Sequence, residues 1–184
     1  LTKTVQQDLL LLISKMYHIP CVILRGFNVY GPRQSLSNPY TGVTAIFISR
    51  FKNNKPAVIY EDGQQTRDFV SVHDLTDAFI LALENNKADY QMFNIGSGYG
   101  TTILEIAKIL EKLLGKSDLI QINKQFRKND IRHCYADITK AKKILRWKPK
   151  ITLEIGLKEL IEWSVGENAD DKFTQAQKEL EQKG

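Results

Sequence analysis

The chain has 184 residues, of which 42% are apolar and 26% charged, and a net charge of +5. That is ordinary for a globular protein with one good-sized core, or a domain plus part of another. No apolar run approaches the roughly 20 residues of a membrane span, and the bases scatter over helix faces without a basic and aromatic stripe, so neither a membrane nor a nucleic acid is an expected partner.

Val5, Leu9, Leu12, Ile13 and Met16 recur at helical spacing and predict an amphipathic helix over 3–17. Its Leu9-Leu10-Leu11-Leu12-Ile13 run carries more apolar surface than one packing face needs. His18-Ile19-Pro20 ends the helix, and Cys21-Val22-Ile23-Leu24 reads as a buried strand. The strand breaks at Asn28 and stops at Gly31-Pro32. Polar groups at the carboxyl edge of a sheet are where ligands bind in α/β proteins, although Gly31-Pro32 can equally be a plain turn capped by Asn28. A polar loop over 35–42 precedes a second helix near Val43–Phe51. Ala57–Tyr60 is a strand, Glu61-Asp62-Gly63 a turn and Asp68–Val72 a further strand.

Asp74 is expected to cap the next helix, with Leu75, Ala78, Phe79, Ala82 and Leu83 on its buried face. Met92–Ile95 is a strand. Thr102 with Glu105 forms a capping-box signature for a helix ending at Gly115. A short strand follows at Leu119–Ile122, then a helix capped by Asp137 through Ala141, Ile144 and Leu145. Thr152 opens another, with Ile155, Leu157, Leu160 and Ile161 covering about one face. The charged tail over 168–184 reads as a peripheral helix.

Cys21 and Cys134 are unpatterned, which suggests reduced thiols and a cytoplasmic location. His18, His73 and His133 lie far apart, so no metal site is expected. Gly96-Ser97-Gly98-Tyr99-Gly100 follows a strand and precedes a helix, yet it reads G-x-G-x-G and not G-x-G-x-x-G. It is expected to be a tight turn into a capped helix and not a cofactor loop.

Arg25-Gly26-Phe27-Asn28-Val29-Tyr30-Gly31-Pro32-Arg33-Gln34 resembles the nucleotide-sugar epimerases and dehydratases of the extended short-chain dehydrogenase/reductase family. So do Gly63, Arg67-Asp68-Phe69, Arg127-Lys128-Asn129-Asp130, Ala136-Asp137, Lys140-Ala141 and Leu145-Arg146-Trp147-Lys148-Pro149. The resemblance implies an α/β chain: the C-terminal end of a Rossmann-like NAD-binding domain over 1–33 and a small α+β substrate-binding domain over 34–167. Leu1-Thr2-Lys3 is similar to the end of the family's Tyr-x-x-x-Lys motif, whose tyrosine would fall two places before Leu1. The expectation is therefore a fragment lacking the glycine-rich NAD loop and the catalytic tyrosine.

As the resemblance has it, Lys3 is catalytic and also holds the nicotinamide ribose, and Gly26 and Phe27 lie at the cofactor. A lysine four residues from a tyrosine shares its helix face, and its charge favours the phenolate. Asn28, Val43, Tyr60, Arg67, Arg127 and Asp130 would bind a nucleotide-diphosphate sugar. A guanidinium fork suits phosphate oxygens. Each has a plainer reading too: Tyr60 as a half-buried strand aromatic, Arg67 as a side chain held by Asp68. Glu61 stands where the family has glycine, a departure expected to alter only the turn. The implied activity is C4 epimerisation through a transient 4-keto sugar with NAD. A 4,6-dehydratase or a reductase of the same family is the alternative, and a non-catalytic nucleotide-sugar-binding module is the alternative of another class. The uncharged 35–42 loop is similar to that of 4-epimerases acting on nucleotide 6-deoxysugars. Related enzymes use the helix equivalent to 3–17 in a dimer interface, so a homodimer is expected.

Overall fold

The computed structural model describes residues 2–38, 40, 42–126 and 130–173. Helix α1 (Thr2–Met16) turns back through 17–21, where the Ile19 N–H reaches the Ser14 carbonyl at 2.9 Å, into β1 (Val22–Gly26). β1 pairs in parallel with β6 (Gln91–Ile95), in register from Val22↔Gln91 to Gly26↔Ile95. β2 (Asn28–Tyr30) pairs in parallel with β5 (Phe69–Ser71), and β3 (Ala57–Ile59) with β8 (Ile120–Ile122). β4 (Thr66–Arg67) lies between β7 (Thr101–Thr102), antiparallel to it, and β9 (His133–Cys134), parallel to it. Helices α2 (Val43–Lys52), α3 (Val72–Leu83), α4 (Ile103–Leu113) and α5 (Leu153–Ser164) pack around these strands. Parallel pairs flanked by helices make this an α/β chain.

The described residues form two apolar cores. One joins α2, β3, α4 and α5 through Phe47, Ile48, Phe51, Ile59, Ile106, Leu110, Leu157 and Leu160. The other joins β5, α3 and β6 to the 136–147 segment through Val70, Ala78, Phe93, Ile95, Ile138 and Trp147. Tyr30 belongs to the first and lies against α5 at Gly156. A Cβ on Gly156 would sit inside contact distance of the Tyr30 hydroxyl and 2.9 Å from Cε2, so only glycine allows this approach.

The Thr102–Glu105 capping box is present, with the Glu105 N–H on Thr102 Oγ1 at 3.1 Å and the Thr102 N–H on Glu105 Oε2 at 2.8 Å. These bonds hold the Glu105 carboxyl below the usual range. Thr152 likewise caps α5, accepting the Ile155 N–H.

Asp74 does not cap α3. Ser71 does, accepting the His73 N–H at 3.2 Å. Asp74 is buried one turn in, where its carboxylate accepts the Lys150 and Ile151 N–H groups at 2.9 and 3.1 Å. A buried carboxylate needs such partners, and a distant segment supplies them. Phe79 and Leu83 are exposed, at 56% and 88%, and so is Ile155 at 61%, because the buried stripes of α3 and α5 are narrower than their apolar patterns. The helix expected after Asp137 is a short one that ends as a π-turn over Ala141–Leu145, with Asp137 accepting the Thr139 N–H.

On α1, Val5, Leu9, Leu12 and Met16 are each more than half exposed. The peripheral helix expected over 168–184 is not helical over 168–172, where the chain runs as a strap bound by side chains of α2 and its flanks; its part beyond 173 lies outside the described residues. Residues 168–173 pack along α2, with Ala169 against the first core and Phe173 under the Arg50 guanidinium at 4.6 Å.

Candidate functional site

β4 places Arg67 between two neighbouring strands. Its Nη1 donates to the Thr66 carbonyl at 2.8 Å and to the Arg132 carbonyl at 3.2 Å. Its Nη2 lies 2.6 Å from Asp130 Oδ1. Two main-chain acceptors thus fix the fork, while the carboxylate partner is about a third exposed and open to exchange for another anion. Asp130 and Arg67 are therefore brought together. Arg127, with Lys128 and Asn129, lies outside the described residues.

Asp68 does not hold Arg67. It is fully buried, and its carboxylate accepts from Ser97 N at 2.6 Å, Ser97 Oγ at 2.7 Å, Gly98 N at 2.9 Å and Ala136 N at 3.0 Å. The 96–100 glycine run is therefore a turn wrapped on a carboxylate. A Cβ at Gly96 would lie 2.8 Å from both Asp68 Cγ and Ala136 Cβ. The Asp68 carbonyl accepts the Asn28 N–H at 2.9 Å, so Asp68 also ties Arg67 to the start of β2.

Asn28 is half-buried, and its carboxamide has no hydrogen-bond partner among the described residues. Phe27 is half-buried against the second core, with its N–H on the Ile95 carbonyl at 3.0 Å. Gly26 presents exposed backbone at the end of β1. Lys3 is exposed in the first turn of α1, its ammonium on Gln6 Oε1 at 3.0 Å. One turn further, Gln7 accepts Arg25 Nε at 2.9 Å. Val43 opens α2, half-buried. Tyr60 follows β3, half-buried, its carbonyl accepting Gln65 Nε2 at 3.0 Å. Among the described residues no hydrogen bond or ion pair links Lys3 or Val43 to Arg67.

Sequence reasoning missed Arg132. Its guanidinium grips Glu61 at 2.6 Å and Asp62 at 2.7 Å, which raises its own pKa and holds the Asp62 carboxyl low. Glu61 adopts φ 54, the left-handed conformation that glycine favours, so its departure from the family pattern does more than alter a turn: the side chain makes an ion pair. The three charged residues line a concavity of about 380 Å³ with Ile122, Lys124 and Phe126. Among the described residues no group of three His, Cys, Asp or Glu could hold a metal, and no helix is long and apolar enough to cross a membrane.

Residues 1–160 match the sequence model of the family described as GDP-mannose 4,6 dehydratase. The chain belongs to this NAD-dependent epimerase/dehydratase family. It is 41% identical over 162 residues to the dTDP-L-rhamnose 4-epimerase of Burkholderia thailandensis, covering 88% of this chain and 44% of that protein. The crystal structure of the Thermotoga maritima UDP-glucose 4-epimerase with UDP-glucose superposes with a TM-score of 0.80 at 39% identity, covering 88% of this chain and 51% of that one. The Bacillus cereus UDP-glucuronic acid 4-epimerase, solved with UDP-glucuronic acid and NAD, gives a TM-score of 0.74 at 35% identity, covering 85% and 49%. The chain thus spans about half the length of these family members, and its fold is a partial Rossmann-like α/β fold.

Proposed function

We propose that the chain is the substrate-binding part of an NAD-dependent nucleotide-sugar 4-epimerase. The observation that carries this reading is Arg67: a guanidinium fixed by two carbonyls, with its remaining arm on an exchangeable carboxylate, is preorganised for a diphosphate. Likeness over most of the chain to two epimerases crystallised with UDP-sugars supports the same reading.

Gly26 and Phe27, at the end of β1, would lie at the nicotinamide end of NAD. Gly26 presents exposed backbone there, and the Asn28 carboxamide, unpartnered among the described residues, and the Lys3 ammonium suit ribose and sugar hydroxyls. NAD would supply reversible hydride acceptance. Lys3 would hold the ribose and favour the phenolate of the tyrosine that the family places two residues before Leu1. Arg67, with Arg127, would clamp the diphosphate while Asp130 turns to the nucleoside ribose. Tyr60 and Val43 would flank the nucleotide, and Asn28 would stand between sugar and cofactor. The open apolar side of α1 suits pairing with a second copy, and the free Cys21 and Cys134 suit a reducing, cytoplasmic setting.

The test is to supply the polypeptide that carries this chain with NAD and a panel of UDP- and dTDP-sugars, and to read C4 stereochemistry by NMR. Inversion at C4 is the expected outcome. A 4-keto-6-deoxy product reassigns the chain to the dehydratases, binding without turnover leaves a binding module, and failure to bind any nucleotide sugar overturns the reading.

A further inference from the structure

Residues 168–171 cross α2 and tie down the chain on both sides of it. Before the helix, the Ser37 hydroxyl donates to the Asn168 carbonyl at 3.3 Å and accepts the Asp170 N–H at 3.0 Å. After the helix, the Asn53 carboxamide donates to the Ala169 carbonyl at 2.7 Å. The Asp171 carboxylate, only 3% exposed, meets Lys55 at 2.9 Å and Arg50 at 3.4 Å. Arg50 in turn donates to the Pro56 carbonyl at the entry to β3.

These contacts matter because of what they flank. α2 begins at Val43 and leads into β3, which ends against Tyr60. The stretch holding Ser37 leads back to β2 and Asn28. Burial of Leu36, 5% exposed, anchors that stretch at one point, and Ser37 fixes its direction beyond that point. One hydroxyl both donates and accepts here, so alanine loses both bonds while threonine keeps them.

We infer that Ser37 and Asp171 are positioning residues: the 168–171 strap holds the stretch before α2 and the turn after it at the separation a nucleotide sugar requires. Substrate affinity then depends on residues that act through Asn28, Val43 and Tyr60 and not on the ligand itself. This rests on the nucleotide-sugar site proposed above. With the strap loosened, binding must itself order the stretch, and that cost appears as a higher KM and not as a lower kcat.

The experiment compares Ser37→Ala, Ser37→Thr and Asp171→Asn with the unaltered sequence, in the polypeptide that carries this chain. It measures kcat, KM, melting temperature and backbone deuterium uptake over 30–38. For Ser37→Ala, KM should rise about three- to tenfold with kcat within about twofold, and uptake over 30–38 should quicken. Ser37→Thr should return KM to that of the unaltered protein. If KM stays unchanged while the unaltered protein turns over nucleotide sugar, the strap has no positioning role and only this inference falls. If kcat drops in step with the folded fraction, the contact is structural alone and the inference also falls. If the unaltered protein binds no nucleotide sugar, the reading of the site falls and takes this inference with it. Should Asp171→Asn fail to fold, Ser37→Ala still decides.

Discussion

Arg67 Nη2 lies 2.6 Å from Asp130 Oδ1, joining two side chains 63 residues apart. The pair is lopsided. Arg67 is also bound by two carbonyls, whereas Asp130 has only Arg67 among the described residues. A ligand anion that displaces Asp130 therefore finds a guanidinium already in place and has little ordering cost to meet.

Arg67→Ala should accordingly weaken nucleotide-sugar binding by about 1.5–3 kcal/mol, the scale of a hydrogen bond to a charged group. Asp130→Asn should weaken it less, since Arg67 keeps both carbonyl anchors. Titration calorimetry with the nucleotide sugar checks both, and unchanged affinity in Arg67→Ala would count against the diphosphate clamp.

Asp68 has a different task from its neighbour. Its carboxylate closes the 96–98 turn, reaches Ala136, and has no exposure to water. Asp68→Ala should cost about 3–5 kcal/mol of stability, because buried donors lose a charged acceptor and a cavity opens beside Gly96. Asp68→Asn keeps the volume but turns one acceptor into a donor facing N–H groups, so it should recover only part of the loss. Urea unfolding measures the difference. A loss below about 1 kcal/mol in Asp68→Ala would mean that the turn holds without the carboxylate.

Tyr30 and Gly156 make a third pair, one of space and not of charge. Gly156→Ala should destabilise by about 1–3 kcal/mol through overpacking. Tyr30→Phe removes the atom nearest the new methyl group, so the double variant should be less destabilised than the sum of the two single ones. Strict additivity in a thermal-unfolding cycle would refute the contact.

What was legible in the sequence follows from how far each interaction reaches. The Thr102–Glu105 box is local, and its signature sufficed. Asp74 also looked local, but its acceptor role depends on Lys150 and Ile151, 76 and 77 residues away, which no cap pattern reports. Asp68 hides for the same reason. Arg67 was legible as a motif, yet its carbonyl anchors and its pairing with Asp130 were not. Arg132 had no pattern at all, because its partners are two acids on a turn about 70 residues earlier. Phe79 and Leu83 repeat at helical spacing, but periodicity marks an apolar face without saying what covers it.

Lys3 offers the sharpest test of the chemistry. Among the described residues it bonds only Gln6, a neighbour one turn away, and its side chain is exposed, so none of the described packing depends on it. Lys3→Ala should therefore leave the melting temperature and nucleotide-sugar affinity nearly unchanged. Turnover should fall by about 10² or more, the scale of a lost acid–base contribution. The sign of the pH effect follows from charge: a nearby ammonium favours a phenolate, so its removal should move the rising limb of the kcat profile to higher pH. Lys3→Arg keeps the charge and should restore part of that shift. Equal turnover in Lys3→Ala, or a profile that stays in place while kcat falls, would remove Lys3 from the proton-transfer step.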